Sequence, residues 1–457
     1  MSPDLTSRQR PWVEYGFAAL ILAGLAYCAW FLIINGYLPQ PFFYEPFDTY
    51  ADWFNTAFWA RDKGTYDVWK TIYPPLSFVF IRIFGIDHCY PERRPFDPSA
   101  GLAARDCDWL GLGTLYAIFF INLVLIWITF RRIDRRTAIP RTIAVGLGLP
   151  MADGLERGNL VLVSFACLLL AFAPILKRAR SRWVAIGLAI NFKVYLVAAL
   201  VPLLAKRRWL WVECGLISAV IVYLVTFAIL GRGTPAEIYE NIRYFATLPA
   251  AQIMDLWYTT TYQPLMSLLE GDTFPFVLLI GSRNVELLQF IIPALQHATQ
   301  AMIVMAILAV FLRPEVVPSY RVANLGLLLA LITSEAGGYT QVYFMLLVMM
   351  EPWRGFARKW AISACYILAV PLDIAIDRTP PMARDLYFGD GATIINYHVT
   401  LGPFVRPLII MTIAVALSLV TLREVWKDIR EQGWRLRWRF RNDAPLLVGD
   451  GAARPAA

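Results

Sequence analysis

Two carboxylates, Asp48 and Asp52, stand just past the first long apolar run, within Phe47-Asp48-Thr49-Tyr50-Ala51-Asp52-Trp53. The polar and aromatic stretch continues to Lys70-Thr71-Ile72-Tyr73-Pro74-Pro75. A spacing of four puts both carboxylates on one face if the segment is helical. A carboxylate can take the proton of a hydroxyl, and acids beside many aromatics at the edge of a bilayer fit a polar substrate carried on a lipid. A solvated amphipathic helix lying on the membrane accounts for the same residues. Three further polar turns interrupt apolar helices: Leu155-Glu156-Arg157-Gly158-Asn159, Ile190-Asn191-Phe192-Lys193-Val194-Tyr195, and Thr333-Ser334-Glu335-Ala336-Gly337-Gly338-Tyr339-Thr340-Gln341. Lys193 is the most demanding residue among them. A cation at membrane depth costs roughly 2.5–3.5 kcal/mol, so it needs a partner or a ligand. A salt bridge to Glu156 or Glu335 would satisfy it, and so would a lipid-linked phosphate.

The elements that position these residues are membrane helices. With 58% hydrophobic and 17% charged residues, the chain reads as a polytopic membrane protein, a single integral domain over 1–457. The apolar run Phe17 to Ile34 is too long for a signal-peptide core and is expected to stay as a span. The net charge of +8 is no sign of nucleic-acid binding, because the basic residues form short clusters between spans. Those clusters are Arg8/Arg10, Arg131 to Arg136, Lys177 to Arg182, Lys206 to Arg208, Arg313 to Arg321, Arg354 to Lys359, and a cytoplasmic basic tail over 423–457. If all of them face the cytoplasm, consecutive clusters are joined by an even number of crossings. Long spans at 16–34, 110–130, 209–230, 284–312, 358–376 and 403–422, with hairpins of shorter helices at 141–153/158–176, 183–191/193–205 and 322–333/341–352, give about twelve crossings with both termini inside. Pro75 to Phe84 is then a short helix on the outer leaflet, because a crossing there would put Arg131 to Arg136 outside. Residues 35–109 become one long external loop carrying short interfacial helices, facing 231–283 and 377–402, and all three polar turns share its side.

Cys89 and Cys107 both fall in the first external loop, where a disulfide and two free thiols are both compatible with the sequence, while the other four cysteines pack within spans. His88, His297 and His398 are too scattered to hold a metal, and no cofactor is expected. Trp53, Trp59, Trp69, Trp257 and Tyr258 could stack on a sugar, and Trp426 to Arg441 reads as an amphipathic helix on an anionic leaflet.

The acid after the first span, the Tyr-Pro-Pro ending at Pro75, the Glu156-Arg157-Gly158-Asn159 turn and the Asn191-Phe192-Lys193-Val194-Tyr195 element occur in an order that resembles GT-C glycosyltransferases. The pattern is most similar to the polyprenol-phosphate-mannose-dependent α-mannosyltransferases of glycosyltransferase family 87. It runs from about Tyr15 to Leu204 and, more loosely, through Thr261-Tyr262-Gln263-Pro264 to Met350. The resemblance implies an all-α GT-C-like bundle that moves a sugar, mannose, from a polyprenyl phosphate to a glycolipid or glycan acceptor with inversion. It places Asp48 as general base and Lys193, Arg157 and Asn159 around the donor phosphate; beside it, Asp52 is the reserve candidate for the base, and Asp52, Tyr73, Glu156 and Glu335 are candidates for supporting roles. It also implies a multi-pass protein of the cell membrane, the inner membrane in a bacterium, with its site facing the periplasm or exterior. Arg157-Gly158-Asn159 stands where the family commonly shows Gly-Gln-x-Asn, and Ser334-Glu335 where Ser-Pro is usual, departures that bear on sugar and acceptor. A lipid-linked sugar flippase or other transporter is the competing class, but the halves show no repeat and the polar residues collect on one side.

Overall fold

The computed structural model describes residues 12–42, 45–90, 101–246, 256–271, 274–387 and 391–434. The Arg8/Arg10 pair and the tail past Trp434 lie outside these residues. The chain opens with α1 (Trp12–Asn35), whose 24 residues reach about 36 Å, more than a hydrocarbon core of roughly 30 Å. The loop that follows carries two short helices, α2 (Ala51–Arg61) and α3 (Pro75–Ile83). The nine residues of α3 give about 13 Å, too short to cross, and the helix packs on α2. The Cys89–Cys107 disulfide is formed, which resolves the two alternatives left by the sequence.

α4 (Trp109–Ile133) returns to the starting end, where Tyr15 donates to the Arg136 carbonyl at 3.4 Å. The first expected hairpin consists of α5 (Ala138–Gly146), α6 (Leu149–Glu156) and α7 (Val161–Phe172), and α8 (Ala179–Phe192) begins the second. The expected helix over 193–205 is instead a pair of 3-10 segments, Val194–Ala199 and Val201–Leu204. Pro202, which cannot donate to a helical ladder, lies within it. α9 (Trp209–Leu230), α10 (Pro235–Ala246), α11 (Gln263–Glu270), α12 (Phe276–Ile280), α13 (Ser282–Val310), α14 (Ser319–Thr333) and α15 (Gln341–Val348) follow.

One expectation fails near the end of the chain. The span placed at 358–376 is the 14-residue α16 (Phe356–Ala369), and the chain becomes extended at Val370 because the following Pro371 disfavours helical backbone before it. The helical bundle also carries a little sheet. β1 (Ala375–Arg378) pairs antiparallel with β4 (His398–Thr400), and β2 (Met382–Asp385) pairs with β3 (Ala392–Ile395), forming two ribbons at the end that carries Asp48. α17 (Gly402–Gln432) then runs as one 31-residue rod that takes in the start of the amphipathic helix expected over Trp426 to Arg441, whose residues past Trp434 lie outside those described.

Among the described residues, five helices are long and apolar enough to cross a membrane: α1, α4, α9, α13 and α17. The twelve crossings are therefore not all built as full-length spans, because the remaining candidates run from 8 to 15 residues. The protein is a predominantly helical membrane protein. Its basic joints gather at the end opposite Asp48, where Arg321 and Arg358 share Glu351 and Glu424, and Arg313 pairs with Asp428 at 2.7 Å.

Candidate active site

Asp48 and Asp52 do not share one helix, because the chain breaks between them. Asp48 closes a 3-10 turn (Pro46–Asp48), Tyr50 takes a left-handed conformation at φ 59°, and Asp52 lies in the first turn of α2. A left-handed non-glycine residue is a strained conformation that its surroundings must hold. Here Tyr50 N–H donates to the Glu156 carbonyl at 2.7 Å, and Asp52 N–H to the Arg157 carbonyl at 3.0 Å. Gly158, at φ +65°, lets this approach occur, since a Cβ there would sit 3.0 Å from both the Tyr50 Cα and the Trp53 Cβ. The break therefore folds both carboxylates onto one arginine. Arg157 bonds Asp48 Oδ2 and lies 3.5 Å from Asp52 Oδ1, while Asn159 donates to Asp52 Oδ2 at 2.5 Å. Asp52 is thus no solvated helix face.

Beneath this pair lie two buried acids. Asp153 and Glu156 belong to α6, and neither oxygen of Asp153 has a hydrogen-bond partner among the described residues. Burial, together with Asp153, Asp48 and Asp52 nearby, pushes the Glu156 carboxyl well above the usual carboxylate range, with Arg157 opposing. A glutamate ionises at about pH 4.3 in an unfolded chain. The folded state therefore keeps this proton to higher pH than the unfolded one, and its stabilising contribution is lost as pH rises. Glu156→Gln needs no proton and keeps an acceptor for the Tyr387 hydroxyl, 3.4 Å away. It is expected to raise the melting temperature by a few degrees at pH 8 and to change it little at pH 4. Parallel pH profiles for the two proteins would contradict this account.

Lys193 occupies a different wall. Its residue is extended (φ −141°, ψ 104°) just after α8, and its ammonium lies 4.6 Å from the Tyr73 ring centroid and 5.7 Å from that of Tyr339. Its Nζ is 3.4 Å from the Tyr73 hydroxyl, and it enters no salt bridge among the described residues. The bridge to Glu156 or Glu335 is therefore not formed. Glu335 is occupied elsewhere, accepting from the amides and hydroxyls of Thr260 and Thr261 and from the Gly337 amide at 3.0 Å. It ties two loops together beside Lys193.

Tyr73, Lys193, Glu335 and Tyr339 line an open cavity of about 960 Å³, whose other walls include Phe245, Met266 and Leu331. Among the described lining residues, Lys193 is the one cation. Arg157 and Asn159 do not reach this cavity, since their side chains serve the carboxylates. Tyr73 connects the two regions, because its hydroxyl lies near Asn159 and it also carries Lys193.

All the residues singled out from the sequence thus converge at one end of the bundle, but as two adjoining groups: Asp48, Asp52, Arg157 and Asn159 above Glu156, and Lys193, Tyr73 and Glu335 around the cavity. The aromatic platform expected at Trp53 is absent, because that indole is fully buried, and Trp59 and Trp69 stack on each other at 5.9 Å. Three residues went unassigned in the sequence. Tyr339 was marked only by its glycine-rich turn, Asp153 carried the signal of an acid inside an apolar run, and Tyr387 offered none.

Comparison with curated proteins and with solved structures gives no match. The sequence model of glycosyltransferase family 87 matches residues 71–335, a span that includes Tyr73, Glu156, Arg157, Asn159, Lys193 and Glu335 and begins after Asp48 and Asp52. That match covers more than half of the chain, and the protein belongs to glycosyltransferase family 87.

Proposed function

We propose that this glycosyltransferase takes mannose from a polyprenyl phosphate and places it on a glycolipid or glycan acceptor, with inversion, on the non-cytoplasmic side of the cell membrane. The observation that carries this reading is the cavity whose lysine, Lys193, enters no salt bridge among the described residues. An amphipathic opening with one fixed cation suits a lipid phosphate, whose oxygens take charge-assisted hydrogen bonds while the chain lies along apolar walls.

The acceptor hydroxyl attacks the anomeric carbon and gives its proton to Asp48. The bond from that carbon to the phosphate oxygen breaks, and the polyprenyl phosphate leaves with the electron pair, its charge met by Lys193. One displacement inverts the anomeric centre. Asp48 suits the base better than Asp52, because its side chain is the more exposed, at 32% against 24%, and only its Oδ2 takes the arginine. Arg157 and Asn159 then orient the carboxylates, a positioning role in place of the direct phosphate contact implied by the resemblance. Tyr73 and Tyr339, between the two groups, flank the sugar. Family membership favours this class over a transporter.

Lys193→Gln removes the charge but keeps a donor, so undecaprenyl phosphate should bind about 10–100-fold more weakly, the value of one hydrogen bond to a charged group. Lys193→Arg should retain most of that affinity. Titration of the purified proteins in nanodiscs measures both, and wild-type affinity in Lys193→Gln would remove the donor from this cavity.

A further inference from the structure

A second cavity, of about 510 Å³, opens at the same end of the bundle and shares no lining residue with the first. One wall is the face of α1 bearing Tyr27, Phe31 and Asn35, which succeed one another at helical spacing. Eight residues separate Tyr27 from Asn35, so the cavity extends about 12 Å along a helix long enough to span the bilayer. The other wall is the β1–β4 ribbon. Arg378 and His398 are direct cross-strand partners there, and both face the cavity beside Asn396. Gln40 fixes the ribbon, with its side-chain amide bonding the carbonyl of His398 and its oxygen accepting the His398 N–H at 2.9 Å. Arg378 enters no salt bridge among the described residues, although acids stand on both ribbons.

The cavity is therefore polar at one end and aromatic at the other. Tyr27 and Phe31 lie 5.9 Å apart along α1, and Phe31 meets Tyr37 edge-on at 5.2 Å. A guanidinium, an imidazole and an amide over aromatic rings can bond vicinal hydroxyls and cover the C–H face of a sugar. The path down α1 suits an alkyl chain. The β2–β3 hairpin joins this cavity to the carboxylates, since Tyr387 N–H donates to the Gly36 carbonyl at 3.0 Å and Arg384 pairs with Glu45 at 2.5 Å, three residues before Asp48.

We propose that this cavity is the acceptor site and that the acceptor is a glycolipid, with its sugar under Arg378, His398 and Asn396 and its chain along the Tyr27–Phe31 face. The inference rests on the transfer reaction proposed above and narrows its acceptor to a membrane-borne one. Donor and acceptor lipids then approach Asp48 from separate openings.

The test is photolabelling of the full chain in nanodiscs with a dodecyl α-mannoside carrying a diazirine in its alkyl chain. Labelling should fall within residues 27–40 and 372–400 and be displaced by unlabelled dodecyl mannoside. Arg378→Ala should lower it at least fivefold, and Asn35→Trp, which fills the cavity, should abolish it. A photoreactive polyprenyl phosphate, labelling near Lys193, should be unaffected by either variant. No competable labelling, labelling spread over the lipid-facing helices, or equal labelling in Arg378→Ala would overturn the proposal. Displacement by phosphatidylglycerol at lower concentration than by dodecyl mannoside would also overturn it, leaving a structural-lipid pocket. Mannoside labelling here without polyprenyl labelling near Lys193 would defeat the donor assignment and leave this a glycolipid site.

Discussion

Asp48→Asn is expected to slow sugar transfer by about 10²–10⁴-fold, the usual value of a positioned general base. The amide keeps the shape of the carboxylate but cannot accept the acceptor's proton. Undecaprenyl phosphate binding should stay near wild type, because Asp48 lies outside the cavity that holds Lys193. Asp52→Asn, measured alongside, should cost less. Asp52 is hydrogen-bonded by Asn159 at 2.5 Å and faces Arg157 at 3.5 Å, so its removal disturbs the position of its neighbours rather than the proton transfer itself. The assay is transfer from a polyprenyl-phosphate donor in nanodiscs under donor saturation. Wild-type rates in Asp48→Asn with an inactive Asp52→Asn would move the base to Asp52. Wild-type rates in both would end the carboxylate mechanism at this site.

Part of this site could be read directly from the chain. Lys193 stands out because a lone cation inside an apolar run has few structural excuses, and it enters no salt bridge among the described residues. The convergence of the three polar turns followed from helix lengths and the placement of basic clusters. The link between Asp48 and Arg157 could not be read, because it joins residues 109 apart through a left-handed Tyr50 and a glycine at 158 that admits the contact. No period or propensity marks such a turn. Asp48 and Asp52 meet one arginine because the helix is broken between them, the opposite of the helical spacing that first suggested a shared face. The β1–β4 ribbon was hidden for a related reason. Its strands are only three and four residues long, and they pair across a gap filled by another hairpin. Pro371 was the one local sign that α16 would stop short.

Glu351 provides the largest expected effect on stability, at the opposite end from Asp48. Its two oxygens take Arg321 Nε and Nη2 at 2.6 Å each, and Arg358 adds a contact at 3.0 Å. Arg321 and Glu351 are both essentially sealed from solvent, with side chains 2% and 1% exposed. Together with Glu424, this group ties α14 and the end of α15 to α16 and α17. Removing one member of a buried ion pair costs about 3–5 kcal/mol, because the remaining charge is left without compensation. Glu351→Ala should therefore lower the unfolding temperature in detergent markedly and reduce the yield of folded protein. The fraction that folds should retain wild-type donor affinity and turnover, since none of these residues touches either cavity. Replacing the whole group together, as Arg321→Met, Glu351→Leu, Arg358→Met and Glu424→Gln, leaves none of its charges uncompensated and should recover much of the loss. A Glu351→Ala protein as stable as wild type would show that the arginines find other partners. A stable variant with lost transfer would show that this end of the bundle is coupled to the site.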